Sequence, residues 1–321
     1  MATIKLRLDG DGNVRTGNPA GDDLQDHNID QLTWFDLHRS ETDSLKRLVA
    51  QVGAHPLALE DAIEGKQRPK IDVYDEHLFI VFYAIHTTGE AVQNTEVSIF
   101  FGPHYVITVR DGDCEPLEDV AKRWNALRQK HDPEPGGILL FSMLDAMVDA
   151  YFPVIDDLGE RIEELESTIL DGHLHNSKAE IFNIRQNILK LRRIVAPERD
   201  VLNHLMRQDT PMFPVQTSVR FSDVYDHLMR ALDWLETYRD QMATLLDLQT
   251  ATSANNLNKT MQTLTVSSII LMTASLVAGI YGMNFDHMPE LHWELGYPLS
   301  LLAMLALALI LIVVFKRKRW L

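Results

Sequence analysis

Leu-Thr-Val-Ser-Ser-Ile-Ile-Leu-Met-Thr-Ala-Ser-Leu-Val-Ala-Gly-Ile-Tyr-Gly-Met-Asn-Phe, residues 264–285, is the stretch around which the rest of the chain arranges itself. With the four residues before it, it forms a run of 26 uncharged residues, 260–285. As a helix that run measures about 39 Å, enough to cross a hydrocarbon core of about 30 Å. It is not evenly apolar. Thr260, Gln262, Thr263, Thr265, Ser267, Ser268, Thr273, Ser275 and Asn284 interrupt it, and a helix facing only lipid gains nothing from such groups. The pattern reads as a membrane-spanning helix with one polar side.

Topology follows from the flanks. Residues 286–294 hold three acids and no Lys or Arg, as a translocated loop should. Residues 295–315 form a second uncharged run, about 31 Å as a helix, and the tail 316–321 begins Lys316, Arg317, Lys318, Arg319. That basic tail places the C-terminus in the cytosol, and two spans return the first 259 residues there, which expects a multi-pass protein of the inner (plasma) membrane. No apolar run follows the first basic residues, so no cleaved signal peptide is expected. The single cysteine, Cys114, excludes an internal disulfide or a thiolate cluster and suits a reducing compartment. A net charge of -16 argues against a nucleic-acid binder and suits a protein that handles cations or simply stays soluble.

Residues 1–138 read as a cytoplasmic α/β domain. Alternating or β-branched and aromatic runs at 34–37, 77–85, 97–101 and 105–110 predict strands, with Gly102-Pro103 turning between the last two. Ser40, Thr42 and Asp43 offer N-caps for a helix through Val52, Pro56 fits the first turn of another through Ile63, and residues 118–130 are amphipathic. The Pro/Gly cluster at 132–137 marks the boundary. From 139 the pattern is helical: residues 139–171 carry nine acids against Arg161, and 178–207 carry seven bases against three acids. Two antiparallel helices joined near Asp171-Gly172-His173-Leu174-His175 are expected, each equally readable as a solvated face.

No proline occurs between Pro214 and Pro289 and no glycine between Val219 and Gly279, so a continuous helix is predicted from 221 to 285, about 98 Å long. This makes 139–259 a stalk leading into the first span, 260–285. Asp226, Asp233, Asp240 and Asp247 recur every seven residues along it, with Asp223 one turn earlier. The row is either a solvated stripe or a cation path and sensor. Residues three and four apart in the span, Asn258, Met261, Thr265, Ser268, Met272, Ser275 and Gly279, form a seam without bulky branched aliphatics. Such a seam serves close helix packing or a water-facing surface. Two spans cannot enclose a channel, so a pore requires several subunits. Amides and hydroxyls without fixed charge suit an ion that keeps its hydration shell, and Mg²⁺ dehydrates most reluctantly.

Tyr281-Gly282-Met283-Asn284-Phe285 followed by Met288-Pro289-Glu290-Leu291, two C-terminal spans and a basic ending resemble the CorA family of magnesium and cobalt transporters. The resemblance extends through residues 55–61, Gln67-Arg68-Pro69-Lys70 and Asp223-Val224-Tyr225-Asp226-His227, nearly the whole chain. It implies an α+β cytoplasmic domain, long stalk helices and two transmembrane helices in a homopentameric, funnel-shaped channel for Mg²⁺, with Co²⁺ and Ni²⁺ as further cargo. It also implies a pore lined by Asn258, Met261, Leu264, Ser268, Met272, Ser275 and Gly279, with Gly282, Met283 and Asn284 at the mouth. The seam agrees except that the family register prefers Leu264 to Thr265; Leu264 with Met261 would make a hydrophobic gate. Regulatory Mg²⁺ between neighbouring cytosolic domains is implied at Glu60 and Asp61 of one subunit and Asp223 of the next, with Asp145, and Asp247 joins this set from the stalk row. The ZntB-like zinc transporters share the layout but usually lack the Met of the triplet, and His173, His175, His287 and His292 read as solvent-exposed rather than as a zinc site. The alternative from another class is a membrane-anchored sensor or enzyme. No nucleophile-base constellation, Walker loop or dinucleotide glycine pattern supports an enzyme.

Overall fold

In chain order the elements are β1 (Ile4–Leu8), β2 (Val14–Gly17), β3 (Thr33–His38), α1 (Thr42–Val52), α2 (Pro56–Glu64), β4 (Lys70–Val73), β5 (Leu78–Thr88), β6 (Ala91–Gly102) and β7 (Tyr105–Arg110). Helices follow: α3 (Glu115–Gln129), α4 (Pro135–Asp149), α5 (Tyr151–Leu170), α6 (Ser177–Met206), α7 (Val215–Tyr281) and α8 (Gly296–Arg317). The computed structural model describes residues 4–8, 14–17, 32–89, 91–129, 135–172, 177–207, 215–284, 288–289, 293–318 and 320. The expected hairpin histidines His173 and His175, Phe285 at the end of the first span, the loop residues His287 and His292, and residues 132–134 of the Pro/Gly cluster lie outside them.

The centre of the fold is the unbroken apolar run of β5, buried at every position from 78 to 85. A strand covered on both faces has no reason to alternate. It pairs antiparallel with β6 from Leu78↔Phe101 to Thr88↔Ala91, and β6 pairs with β7 through the turn predicted at Gly102-Pro103. The seven-stranded sheet runs β2-β1-β3-β7-β6-β5-β4, with β3 parallel to β7 and the other pairs antiparallel. α1 begins after Glu41, which makes no side-chain cap bond. α2 starts on Pro56, and the His55 ring accepts a hydrogen bond from the Leu57 N–H at 3.2 Å.

The expected single helix over 139–171 is two, α4 and α5, broken at Ala150. Pro153 in the first turn of α5 has no N–H to give the preceding turn. The long helix is continuous as predicted, 67 residues from Val215 to Tyr281.

By compactness the chain divides into residues 1–165 with 179–243, and residues 166–178 with 244–321. In the first unit Phe35, Phe79, Phe82, Phe100, Trp124, Tyr151 and Phe221 are fully buried. Arg39 pairs with Glu96 at 2.8 Å and lies so close over Gly65, at φ +66°, that a Cβ there would strike its guanidinium. Cys114 is 1% exposed, and burial pushes its thiol up to about 12.

Glu198 on α6 is fully buried and latches helices to the sheet. Its Oε1 accepts from the Tyr83 N–H at 2.9 Å, on the stretch of β5 past the end of its pairing with β4. The Tyr151 hydroxyl lies 2.8 Å from Glu198 Oε2 and 2.6 Å from the Tyr83 carbonyl oxygen. One hydroxyl hydrogen cannot serve two acceptors. Both contacts are hydrogen bonds when Glu198 carries a proton and donates it to Tyr151, which then donates to Tyr83. Burial pushes the Glu198 carboxyl well above the ordinary carboxylate range, in the same sense.

In the second unit Gln249 donates to Ser177 Oγ at 2.8 Å in a buried contact. Among the described residues, three helical stretches are long and apolar enough to cross a membrane, by length and composition. The first, 136–170, has 61% of its apolar window buried in the protein, against 6% and 0% for those in α7 and α8. Its apolar surface is already covered, whereas theirs is open.

Candidate functional site

Two helices each carry ligand-type side chains four residues apart: Asp145 and Asp149 on α4, Asp223 and His227 on α7. That spacing puts each pair on one helix face. Phe141 of α4 meets Phe221 of α7 edge-on at 6.4 Å, and Phe152 of α5 meets the His227 ring at 6.1 Å. The two faces are thereby held together. His227 Nδ1 lies 3.3 Å from Asp149 Oδ1, and its Nε2 lies 4.0 Å from Asp223 Oδ1. Ligand atoms of Asp145, Asp149 and His227 all fall within 4.8 Å of one another.

The chemistry of this cluster suits a divalent cation. His227 Nδ1 is buried and faces Asp149 Oδ1 without an aligned hydrogen bond. Asp145 is half-buried, and its carboxyl is pushed up to about 6, first by burial and then by the charge of Asp149, against the opposing pull of His227. A bound cation would reverse that penalty. Without a cation, stability contributed by neutral Asp145 is full below its ordinary value of 3.8 and lost as pH rises through about 6. Cation binding therefore competes with a proton. Titration with Mg²⁺ between pH 5 and 8 is expected to give affinity that falls as pH drops through about 6. Constant affinity across that range would remove Asp145 as a ligand.

Glu60 and Asp61 sit on α2, outside this cluster within one chain. Asp61 is ion-paired with Lys70 at 2.7 Å, and Lys70 also holds Asp72 at 2.7 Å. Asp226, Asp233, Asp240 and Asp247 are all exposed, and Asp240 is paired with Arg239 at 2.9 Å. Asp247 belongs to no ligand cluster among the described residues. Asp149 and His227 went unassigned from the sequence. Their signal was the four-residue spacing from the acids that were named.

Along the apolar part of α7 the named positions Asn258, Met261, Leu264, Ser268, Met272, Ser275 and Gly279 are all exposed in the single chain, as is Thr265. In 260–284 only Val266 is buried. The Ser268 hydroxyl donates to Leu264 O at 2.8 Å, so it offers outward only lone pairs. After Tyr281 the helix tightens, with Gly282 N–H bonded to Ala278 O and Met283 N–H to Ile280 O. A Cβ on Gly282 would lie 3.2 Å from Ala278 O, tighter than ordinary packing. Gly282, Met283 and Asn284 are thus placed just beyond the carbonyl end of the helix, where the dipole favours cations.

The family model described as CorA-like Mg2+ transporter protein matches residues 30–317. The chain belongs to the CorA family. Among its relatives, the cobalt/magnesium transport protein CorA of Thermotoga maritima is 33% identical over 294 residues, 90% of this chain and 83% of that protein. The zinc transport protein ZntB of Klebsiella pneumoniae is 25% identical over 295 residues, covering 91% and 88%. The complete structure of the CorA magnesium transporter from Methanocaldococcus jannaschii matches with a TM-score of 0.82 at 20% identity, over 100% of this chain and 99% of that one. The fold is therefore that of full-length CorA: a soluble α/β domain, a long helix and a terminal apolar helix.

Proposed function

We propose that this CorA-family chain is a divalent-cation transporter rather than an enzyme, and that it is one subunit of a homopentameric channel carrying Mg²⁺ inward, with Co²⁺ and Ni²⁺ as further cargo. The observation that carries this reading is the Gly282-Met283-Asn284 triplet at the carbonyl end of a helix whose apolar segment is open along its length. An amide at a negative helix end bonds the water around a cation without stripping it. Mg²⁺, which gives up its waters least readily, is the ion that such a mouth suits. Residues 1–138 and 139–259 form the cytosolic part, 260–285 the pore helix, 286–294 the outer loop and 295–315 the second span, in the inner membrane with both termini cytosolic. Gly279, Ser275, Met272, Ser268 and Asn258 line the axis, and Leu264 with Met261 closes its inner end.

The cytosolic part supplies the control. Asp223 and Asp145, with Asp149 and His227 beside them, would hold regulatory Mg²⁺ against Glu60 and Asp61 of a neighbouring subunit, with Asp247 further along the stalk. Stripped of it, the carboxylates face each other, and their repulsion biases the interface toward opening. His227 also offers a nitrogen ligand that suits Co²⁺, Ni²⁺ or Zn²⁺ better than Mg²⁺. That ligand, with the ZntB relative, is the reason to carry zinc transport as the second reading.

Flux of Mg²⁺, Co²⁺, Ni²⁺ and Zn²⁺ into vesicles holding the purified chain separates the two: Mg²⁺ uptake supports the first reading, and Zn²⁺ uptake without Mg²⁺ the second. Replacing Asp61 and Asp223 together by Asn is expected to shift Mg²⁺ inhibition to at least about tenfold higher concentration, since each carboxylate–cation contact is worth more than 1.4 kcal/mol. Unchanged inhibition would place the sensor elsewhere.

A further inference from the structure

In a chain of net charge -16, a groove walled without a carboxylate among the described residues opens in the first unit. It lies between the β5–β6 hairpin, the segment 67–69 that leads into β4, and α6, and measures about 1230 Å³. Arg68, Lys190, Arg192 and Arg193 line it. The remaining wall is amide, aliphatic or proline, with Tyr83 at the back.

The four cations are not equally occupied. Lys190 Nζ donates to the Val92 carbonyl, and Arg192 is paired with the exposed Glu236 at 3.2 Å. Arg68 and Arg193 are exposed and have no ion pair among the described residues. The acid behind the wall, Glu96, is committed: its Oε1 takes Arg39 at 2.8 Å, and its Oε2 accepts from the Gln67 N–H at 3.0 Å. The Tyr83 hydroxyl contacts the Gln67 carbonyl, so the backbone next to Arg68 is held from both sides. One free arginine therefore stands on an anchored strand lead-in and the other on a helix.

We propose that this groove binds a nucleoside polyphosphate, with ATP as the probe. The cations stand on two walls, so a ligand that meets them together needs several charged groups in a row. The volume exceeds the range of about 300–1,000 Å³ usual for small-molecule sites and leaves room for a nucleoside beyond the phosphates. Gln93, Asn94 and Gln186 supply donors and acceptors of the kind that pair with a base, and Ile194 and Pro197 add apolar lining. Arginine is the side chain suited to such phosphates, through its forked donors.

This inference does not depend on which ion the chain transports. It is tested by calorimetric titration of the full chain in detergent with ATP, in buffer containing EDTA so that no divalent cation is read. Saturable binding is expected, with tripolyphosphate competing, AMP about tenfold weaker or more, and affinity falling with salt. The double variant Arg68→Glu/Arg193→Glu is expected to lose about 100-fold, at roughly tenfold for each charge-assisted contact. Both arginines are exposed, and an unchanged far-UV spectrum checks that the variant folds; Arg68→Gln/Arg193→Gln should lose less. Absence of saturable heat at millimolar ATP, or binding unaltered in both variants, overturns the assignment. Inorganic phosphate binding as tightly as ATP overturns the nucleotide class.

Discussion

Replacing Asn284 with Ala is expected to abolish selective Mg²⁺ uptake in reconstituted vesicles while leaving the soluble unit folded. The amide lies just past the last helical residue, Tyr281, so it adds an acceptor where the backbone carbonyls already point outward. Alanine removes that acceptor and donor without disturbing a helix turn. In the proposed five-fold ring the loss would be repeated five times. At about 0.5–1.5 kcal/mol for each hydrogen bond to a hydrated ion, roughly 2.5–7.5 kcal/mol of stabilisation would disappear together. Uptake should fall by at least about tenfold, because 1.4 kcal/mol is a factor of ten. Retained uptake with retained selectivity would show that the mouth is not the selective element.

The second large effect concerns stability. Glu198→Ala is expected to destabilise the first unit by about 3–5 kcal/mol, since it leaves the Tyr83 N–H unpaired in the core, takes the partner from Tyr151 and opens a cavity. Glu198→Gln should behave differently. Its amide N–H₂ donates to Tyr151 as the protonated acid does, and its carbonyl still accepts from Tyr83. The sign of the pH dependence follows from the raised carboxyl: the latch is fully stabilising at acid pH and weakens as pH rises through its folded value. The glutamine has no proton to lose, so wild type and Glu198→Gln should diverge on the alkaline side in urea titrations. Parallel stability from pH 6 to 9 would mean that Glu198 is ionised in the folded protein.

The elements most legible in the sequence were those with one dominating constraint. The central strands β5, β6 and β7 announced themselves by apolar runs, and α7 by its lack of punctuation. The strand β4 was hidden because it has four residues, follows Pro69 and carries a charge at every second position. β1, Ile-Lys-Leu-Arg-Leu, carries the alternation of a strand, but over only five residues at the very start of the chain, too short a run to stand out. The break at Ala150 was masked by apolar residues on both sides, and Pro153 was the available cue. The site divided in the same way. Asp145 and Asp223 could be named, and spacing places Asp149 beside the first and His227 beside the second, but the approach of the two pairs to one another comes from the packing of α4 on α7, which local spacing does not contain.

Cys114 gives this chain a practical property. Its thiol is 1% exposed and held at about 12, so at neutral pH almost none of it is the reactive thiolate. A maleimide reagent added to the folded protein finds no native target. Cysteine placed at Leu264 or at Thr265 would then be the only label acceptor, and blocking of flux by the labelled variants would read the rotation of α7 about the proposed pore axis against a silent background.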